Sequence, residues 1–454
     1  MISTNKIVEN LLNGKEKITP TIIRNIDNKI NELEKNFNNL VSINVRKKTL
    51  ILLKSFLLKN KEQFIKLINL EVFKTLDESI AEFNYAIEFV NYSLKILNQY
   101  KFEILENKNT EIFLKSSGIV FAITPYNDPL AGMIRKIAPS IAAGSPLIVK
   151  TSSYNLKICK FIDLSLPKEI KKFLKFVYIK KKNNINRIIQ NKKIKIVTFT
   201  GSTEIGLKLN NIKTKHLQKK ILELGGINYA VICDNYNLNN IIDEIITRKI
   251  KAAGQACSSI NKVFVKKNIK NEFENLLKIK VSKLICGNIN QKVQPDFGPV
   301  ISTKHYKFLE KLKNKLLRFN RLIVKSKSNE DAANLYPFII TESNFDDNVF
   351  DKIETFGPLL GISYFNDEKK LFKKISSSEY SLVCYIFSRS KQIISLAKKL
   401  DFGSIGINTT KIQSPGSPTG GNNLSGIGRE GGIWGFEEFL STVNYVKGNN
   451  EKSN

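Results

Sequence analysis

Histidine and cysteine are scarce in this 454-residue chain, and acidic residues are few beside basic ones. The two histidines, His216 and His305, each sit next to a lysine, which leaves little material for a Ser-His-Asp relay or a histidine-rich metal site. The five cysteines, Cys159, Cys233, Cys257, Cys286 and Cys384, are odd in number, widely spaced and free of any C-x-x-C pair. Neither a disulfide framework nor a zinc site is expected from them, and no metal is assigned. A cysteine nucleophile in this chain works without a histidine partner. There is no run of about 18 uncharged apolar residues. The polar start MISTNKIVENLLNGKEK lacks the apolar segment of a secretory signal, so a cytoplasmic protein without a membrane partner is expected.

What is present is a globular composition. Hydrophobic residues make up 42% and no long biased tract occurs, which excludes a fibre or a disordered chain. At roughly 150 residues per domain the length predicts two or three domains. Lys and Arg outnumber Asp and Glu by 72 to 41, a net charge of +31. Such an excess fits nucleic acid, and a basic nucleic-acid-binding protein on an inactive enzyme fold is the non-enzyme alternative. The basic residues are instead spread along the chain, as in Lys171–Lys172, Lys180–Lys182, Lys192–Lys193, Lys219–Lys220 and Lys373–Lys374. No zinc-finger spacing or RNA-recognition aromatic motif accompanies them. The charge reads as general lysine bias, with no nucleic-acid partner.

From Asn5 to Tyr100 the apolar spacing is helical, and this region carries no obvious chemistry. Residues 103–122 read as a hairpin followed by a buried strand. Strands and helices then alternate: a helix around Leu130 to Ala143, a strand from Pro146 to Val149, a helix around Tyr154 to Phe161 and a strand from Ile194 to Phe199. That rhythm predicts a parallel, doubly wound sheet. A second α/β series starts at Tyr229 and runs through Lys262–Val265 to Ser404–Asn408. Between Gln413 and Gly432 lies a Gly/Pro/Ser/Asn-rich stretch long enough to be a functional loop or a disordered linker.

Three sites invite chemistry. Gly201 and Ser202 follow a strand and open a helix, where backbone N–H groups either cradle a phosphate or are capped by Ser202 or Thr203. Glu223, flanked by Leu222 and Leu224 and followed by Gly225 and Gly226, has the apolar surroundings that raise a carboxylate toward the range of a general base; a solvated glutamate is the plainer alternative. Cys257 lies in the small-residue loop Ala253–Ser259. A free cysteine is most often a small buried hydrophobe, but this loop gives a thiol access.

Together with Thr124–Pro125–Tyr126–Asn127, Glu354–Thr355–Phe356–Gly357–Pro358 and Ser425–Gly431, these segments resemble the aldehyde dehydrogenase superfamily, in the family's order, from about Gly118 to Val446. The 34-residue step from Glu223 to Cys257 also fits the family. The resemblance implies an α/β fold with two doubly wound parallel-sheet domains and a small β oligomerisation arm. Residues 1–102 and 118–224, with 412–435 returning, form the cofactor-binding domain; 225–411 form the catalytic domain; 103–117 and 436–454 form the arm of a homodimer or homotetramer. It implies that Cys257 attacks an aldehyde, that the Asn127 amide and the Cys257 N–H hold the oxyanion, and that Glu223 activates water to hydrolyse the thioester. Ile123, Thr124, Pro125, Tyr126, Lys150, Ser153, Gly201, Ser202, Leu224, Gly225, Glu354 and Phe356 fall at cofactor positions.

The cofactor is NADP or NAD. Where NAD-preferring members commonly carry a glutamate, this chain has Ser153, beside Lys150, which favours NADP. Arg135, eight positions after Asn127, and Lys251, six before Cys257, fall with Ser258 at substrate positions. Succinate-semialdehyde dehydrogenases resemble the chain in both basic residues, implying a small anionic aldehyde. The alternatives are a small hydroxyaldehyde of the lactaldehyde or glyceraldehyde-3-phosphate type, or a CoA-acylating reaction, although CoA-acylating relatives typically lack the glutamate. The chain departs from the family at Thr419, Asn423, Lys262 and Ser381.

Overall fold

The apolar run Ile119–Ile123 is buried along its whole length and forms the middle of a parallel sheet. The computed structural model describes residues 3–179, 182–289, 295–328, 333–346 and 349–448; Lys180, Lys181 and positions 449–454 of the expected arm lie outside the described residues. In spatial order the first sheet contains Gly426–Ile427, Lys219–Glu223, Ile194–Thr200, Ile119–Ile123, Leu147–Lys150 and Leu174–Phe176, parallel except for the first strand. Alternation along the central strand serves two cores. Val120 and Ala122 pack with the helices Ile43–Lys59, Leu76–Gln99 and Ala131–Ala143, while Ile119, Phe121 and Ile123 pack with Ile23–Phe37 and Thr203–Asn210.

The chain proceeds from Ile119–Ile123 outward through two strands on one side and then returns to Ile194–Thr200 on the other. The strand order therefore reverses between Ile123 and Thr200. In a doubly wound sheet the crevice for a ligand opens beyond the carboxyl ends at that point.

The second sheet has the order Leu322–Lys325, Ile339–Glu342, Leu359–Phe365, Ile260–Lys266, Asn228–Ile232, Val383–Phe387 and Ser404–Ile407, parallel apart from the first strand. Two parallel α/β sheets are thus the architecture, as the alternating pattern requires. A third sheet, Glu103–Asn107, Thr110–Ser116 and Leu440–Val446, is antiparallel and leaves Leu105, Tyr445 and Val446 exposed.

The Gly/Pro/Ser/Asn-rich stretch is a loop that joins both halves. Asn422–Asn423 pairs with Tyr380–Ser381, and Gly426–Ile427 pairs with Leu222–Glu223. Two of the departures from the family meet there, because the Asn423 amide donates to the Ser381 hydroxyl at 3.0 Å. Lys262, another departure, is fully buried and reaches Asp351 at 3.2 Å. Among the described residues, no helix is long and apolar enough to cross a membrane.

Candidate active site

Cys257 is carried on a loop that is held from several sides. After the helix Leu238–Ile250, the residues Ala252, Ala253 and Gly254 take left-handed φ values of 50°, 55° and 75°. Only glycine adopts this region freely, so the two alanines need outside support. Gly254 is required for a second reason: a Cβ there would lie 2.4 Å from the Gly357 carbonyl. The Ala252 N–H donates to Glu78 Oε1 at 2.6 Å. The Gln255 amide donates to the Ala252 carbonyl at 2.9 Å and accepts from the Ile301 N–H at 3.0 Å. Beyond the thiol, Asn228 Nδ2 donates to the carbonyls of Cys257 and Ser259 at 2.6 and 2.8 Å, and its Oδ1 accepts from the Val383 N–H at 3.0 Å.

Cys257 is partly accessible, whereas the other four cysteines are buried. Burial of its sulfur and the neighbouring Glu223 carboxylate push the thiol well above its ordinary range, against the opposing pull of Arg135. The thiol must therefore lose a proton before its sulfur can attack, and the Glu223 carboxylate does not ease that loss. Gln413 Nε2 stands 4.0 Å from the sulfur.

Glu223 ends the strand Lys219–Glu223 and is 2% exposed. Neither carboxylate oxygen accepts a well-aligned hydrogen bond among the described residues. Its ionic neighbour is Arg135 Nη2 at 3.6 Å. Burial, reinforced by Glu430, raises the Glu223 pKa, while Arg135 and Lys136 pull it down. Arg135 also places Nε 2.8 Å from Glu430, and the Lys136 ammonium contacts the other Glu430 oxygen. Thr200 donates to that same oxygen at 2.9 Å.

A 590 Å³ cavity joins these groups. Its walls include Cys257, Glu223, Asn127 and Arg135 together with Ile123, Thr124, Pro125, Tyr126, Lys150, Gly201, Ser202, Leu224, Gly225, Glu354 and Phe356. Lys150 and Ile205 also line a neighbouring cavity of 770 Å³, which Ser153 also lines, so the two cavities adjoin at these side chains. Lys251 and Ser258 do not line either cavity. Lys251 is exposed, with Asp128 the first carboxylate acting on its charge, and the Ser258 hydroxyl accepts from Arg248 at 3.1 Å.

The adjoining cavities suit a nicotinamide dinucleotide. Ser202 caps the helix Thr203–Asn210 without a side-chain hydrogen bond, leaving first-turn N–H groups for a phosphate; of the two alternatives at this motif, the capping bond is not formed. At Gly225 a Cβ would lie 2.5 Å from a Glu354 oxygen, so the missing side chain lets the backbone pass beside that carboxylate. Glu354 accepts from the Gly226 N–H at 3.1 Å, and burial pushes it up to about 7. None of the described residues lining the outer cavity is acidic, while Lys150, Lys208 and Ser153 line it. That lining sets no carboxylate against a 2′-phosphate.

Several site residues escaped the sequence reading. Glu78 and Asn228 carry no local signal. His305, which lines the cavity and shares a 2.8 Å hydrogen bond with the Phe356 carbonyl, stands apart from the motifs. Glu430 lay inside a motif but had no assigned role.

Comparison with known proteins agrees with this arrangement. The model of the aldehyde dehydrogenase family matches residues 19–444. The chain belongs to the aldehyde dehydrogenase family, and its enzyme class is NAD(P)-dependent aldehyde dehydrogenase. It is similar to the succinate-semialdehyde dehydrogenase [NADP(+)] of Escherichia coli, with 28% identity covering 85% of this chain and 82% of that protein. A lactaldehyde dehydrogenase of Methanococcus aeolicus is 30% identical, covering 90% and 89%. Among solved structures, glyceraldehyde-3-phosphate dehydrogenase from Methanocaldococcus jannaschii, complexed with NADP, matches with a TM-score of 0.86 at 26% identity over 95% of this chain and 96% of that one.

Proposed function

We propose that this protein oxidises a small aldehyde to a carboxylic acid through a thioester on Cys257. The observation that carries the reading is the shared cavity wall of Cys257, Glu223 and Asn127, beside the adjoining outer cavity lined by Lys150 and Ser153. Cys257 loses its thiol proton to solvent, and the sulfur bonds to the aldehyde carbon. The Asn127 amide and the Cys257 N–H hold the resulting oxyanion. A bound nicotinamide supplies the hydride acceptor for this carbon. Glu223 then takes a proton from water and later returns it to solvent; the water oxygen bonds to the thioester carbon and the Cys257 thiolate leaves. A buried base at this position supports hydrolysis rather than transfer to CoA. The acid-free outer cavity supports NADP over NAD.

For the substrate we favour an anionic aldehyde of the succinate-semialdehyde type, supported by the relative from Escherichia coli and by the positive charge that Arg135 and Lys251 bring near the site. A second reading, a small hydroxyaldehyde of the lactaldehyde or glyceraldehyde-3-phosphate type, is favoured by one observation: Arg135 is already engaged by Glu223 and Glu430. A homodimer or homotetramer built through the arm, in the cytoplasm, belongs to the same proposal. The test is Cys257→Ala: turnover is lost and NADP binding kept. Retained oxidation in that variant contradicts the mechanism. An aldehyde panel scored by kcat/KM separates the two substrate readings.

A further inference from the structure

The beginning of the helix Leu76–Gln99 touches both loops that carry reacting groups, although the sequence marks it only as helical. Lys74 precedes the N-cap Thr75, and Glu78 and Glu82 follow one turn apart. Glu82 Oε1 accepts from the N–H groups of Leu130 and Ala131 at 2.8 and 3.2 Å, at the start of the helix Ala131–Ala143. The Lys74 ammonium bridges Glu82 Oε2 at 2.6 Å and Asp128 Oδ1 at 2.8 Å. Asn127 is thus followed directly by a residue tied to Lys74, and the turn beyond it is tied to Glu82.

The nucleophile loop is tied to the same helix. Glu78 Oε1 accepts from the Ala252 N–H at 2.6 Å, at the first residue of the left-handed run that leads to Cys257. Its second oxygen accepts from the Thr75 N–H at 3.0 Å, which fixes the carboxylate's orientation. The Asn127 loop grows out of the first sheet and the Cys257 loop out of the second-sheet half. Neither sheet alone sets the distance between them. Left-handed alanines persist only where neighbouring structure imposes them, and Glu78 supplies a bond at the point where the run starts.

We propose that Glu78, Glu82 and Lys74 are positioning residues for catalysis, fixing the Cys257 thiol relative to the Asn127 amide. This rests on the roles given above to Cys257 and Asn127. Because reacting groups must be held closely for bond formation, loosening this tie costs turnover while leaving the distant cofactor groove intact.

The full-length enzyme with Glu78→Ala, Glu78→Gln and Cys257→Ala tests it. We expect Glu78→Ala to lower kcat by about tenfold or more, with the Kd for NADP and the KM for aldehyde close to the parent. Glu78→Gln keeps an acceptor for the Ala252 N–H and restores most of the loss. A parent-like kcat in Glu78→Ala, or a loss shared equally by NADP affinity and unrepaired by glutamine, overturns the inference. A second background keeps the test decisive if Glu78→Ala folds poorly. In Ala252→Gly the left-handed turn no longer needs imposing, so adding Glu78→Ala lowers kcat less than in the parent; an equal loss counts against us. The Cys257→Ala arm separates the two levels: turnover there refutes the nucleophile, whereas a dead Cys257→Ala beside a normal Glu78→Ala refutes only the positioning role.

Discussion

Arg135 Nη2 lies 3.6 Å from a carboxylate oxygen of Glu223, and both side chains are buried. The guanidinium favours the ionised carboxylate and so opposes the burial that raises its pKa. Replacing Arg135 with leucine removes that opposition. The acid limb of the pH–kcat profile then moves to higher pH, and kcat at pH 7 falls for neutral and anionic aldehydes alike. A variant in which only anionic aldehydes suffer, through KM, assigns Arg135 to the substrate carboxylate instead.

Glu223 itself sets the next expectation. Its folded-state pKa is raised, so the active, deprotonated base is lost as pH falls through a value above the usual glutamate range of about 4.3. Activity therefore rises with pH through that point. Glu223→Gln lowers steady-state turnover by about 10²–10⁴-fold, while rapid mixing still shows one burst of cofactor reduction. A full steady-state rate in this variant rules out Glu223 as the hydrolytic base.

Asn228 is fully buried and makes three hydrogen bonds that tie the Cys257 loop to the second sheet. Asn228→Ala leaves the Val383 N–H and two carbonyls without that partner, and each unsatisfied buried group costs about 1–3 kcal/mol. Denaturant unfolding is expected to show a lower midpoint together with reduced kcat. Parent-like stability contradicts this role.

The outer cavity makes a cofactor prediction. Ser153→Glu places a carboxylate on a wall that has none among the described residues. Like charge repels the 2′-phosphate, so kcat/KM for NADP falls by about tenfold or more while that for NAD holds or improves. An unchanged ratio of the two removes Ser153 from cofactor selection.

How much of this was legible in the sequence follows from where each bond is made. Cys257, Glu223 and the Gly201–Ser202 turn stand in short segments whose local chemistry is visible, and the parallel sheets follow from alternating strand and helix. Arg135 was legible as a charge but not as a partner, since Glu430 lies 295 positions away in the chain. Glu78 and Glu82 sit on a helix whose spacing is satisfied by any polar residue there; their contacts to Ala252 and Leu130 exist only after folding. Asn228 likewise has no local pattern, because its partners come from two separate strand ends.

The most direct measurement is intact-protein and peptide mass spectrometry of Glu223→Gln quenched after one turnover with aldehyde and NADP. The account predicts an adduct with the mass of the acyl group on the peptide containing Cys257, released by hydroxylamine. No adduct, or one on another residue, contradicts it.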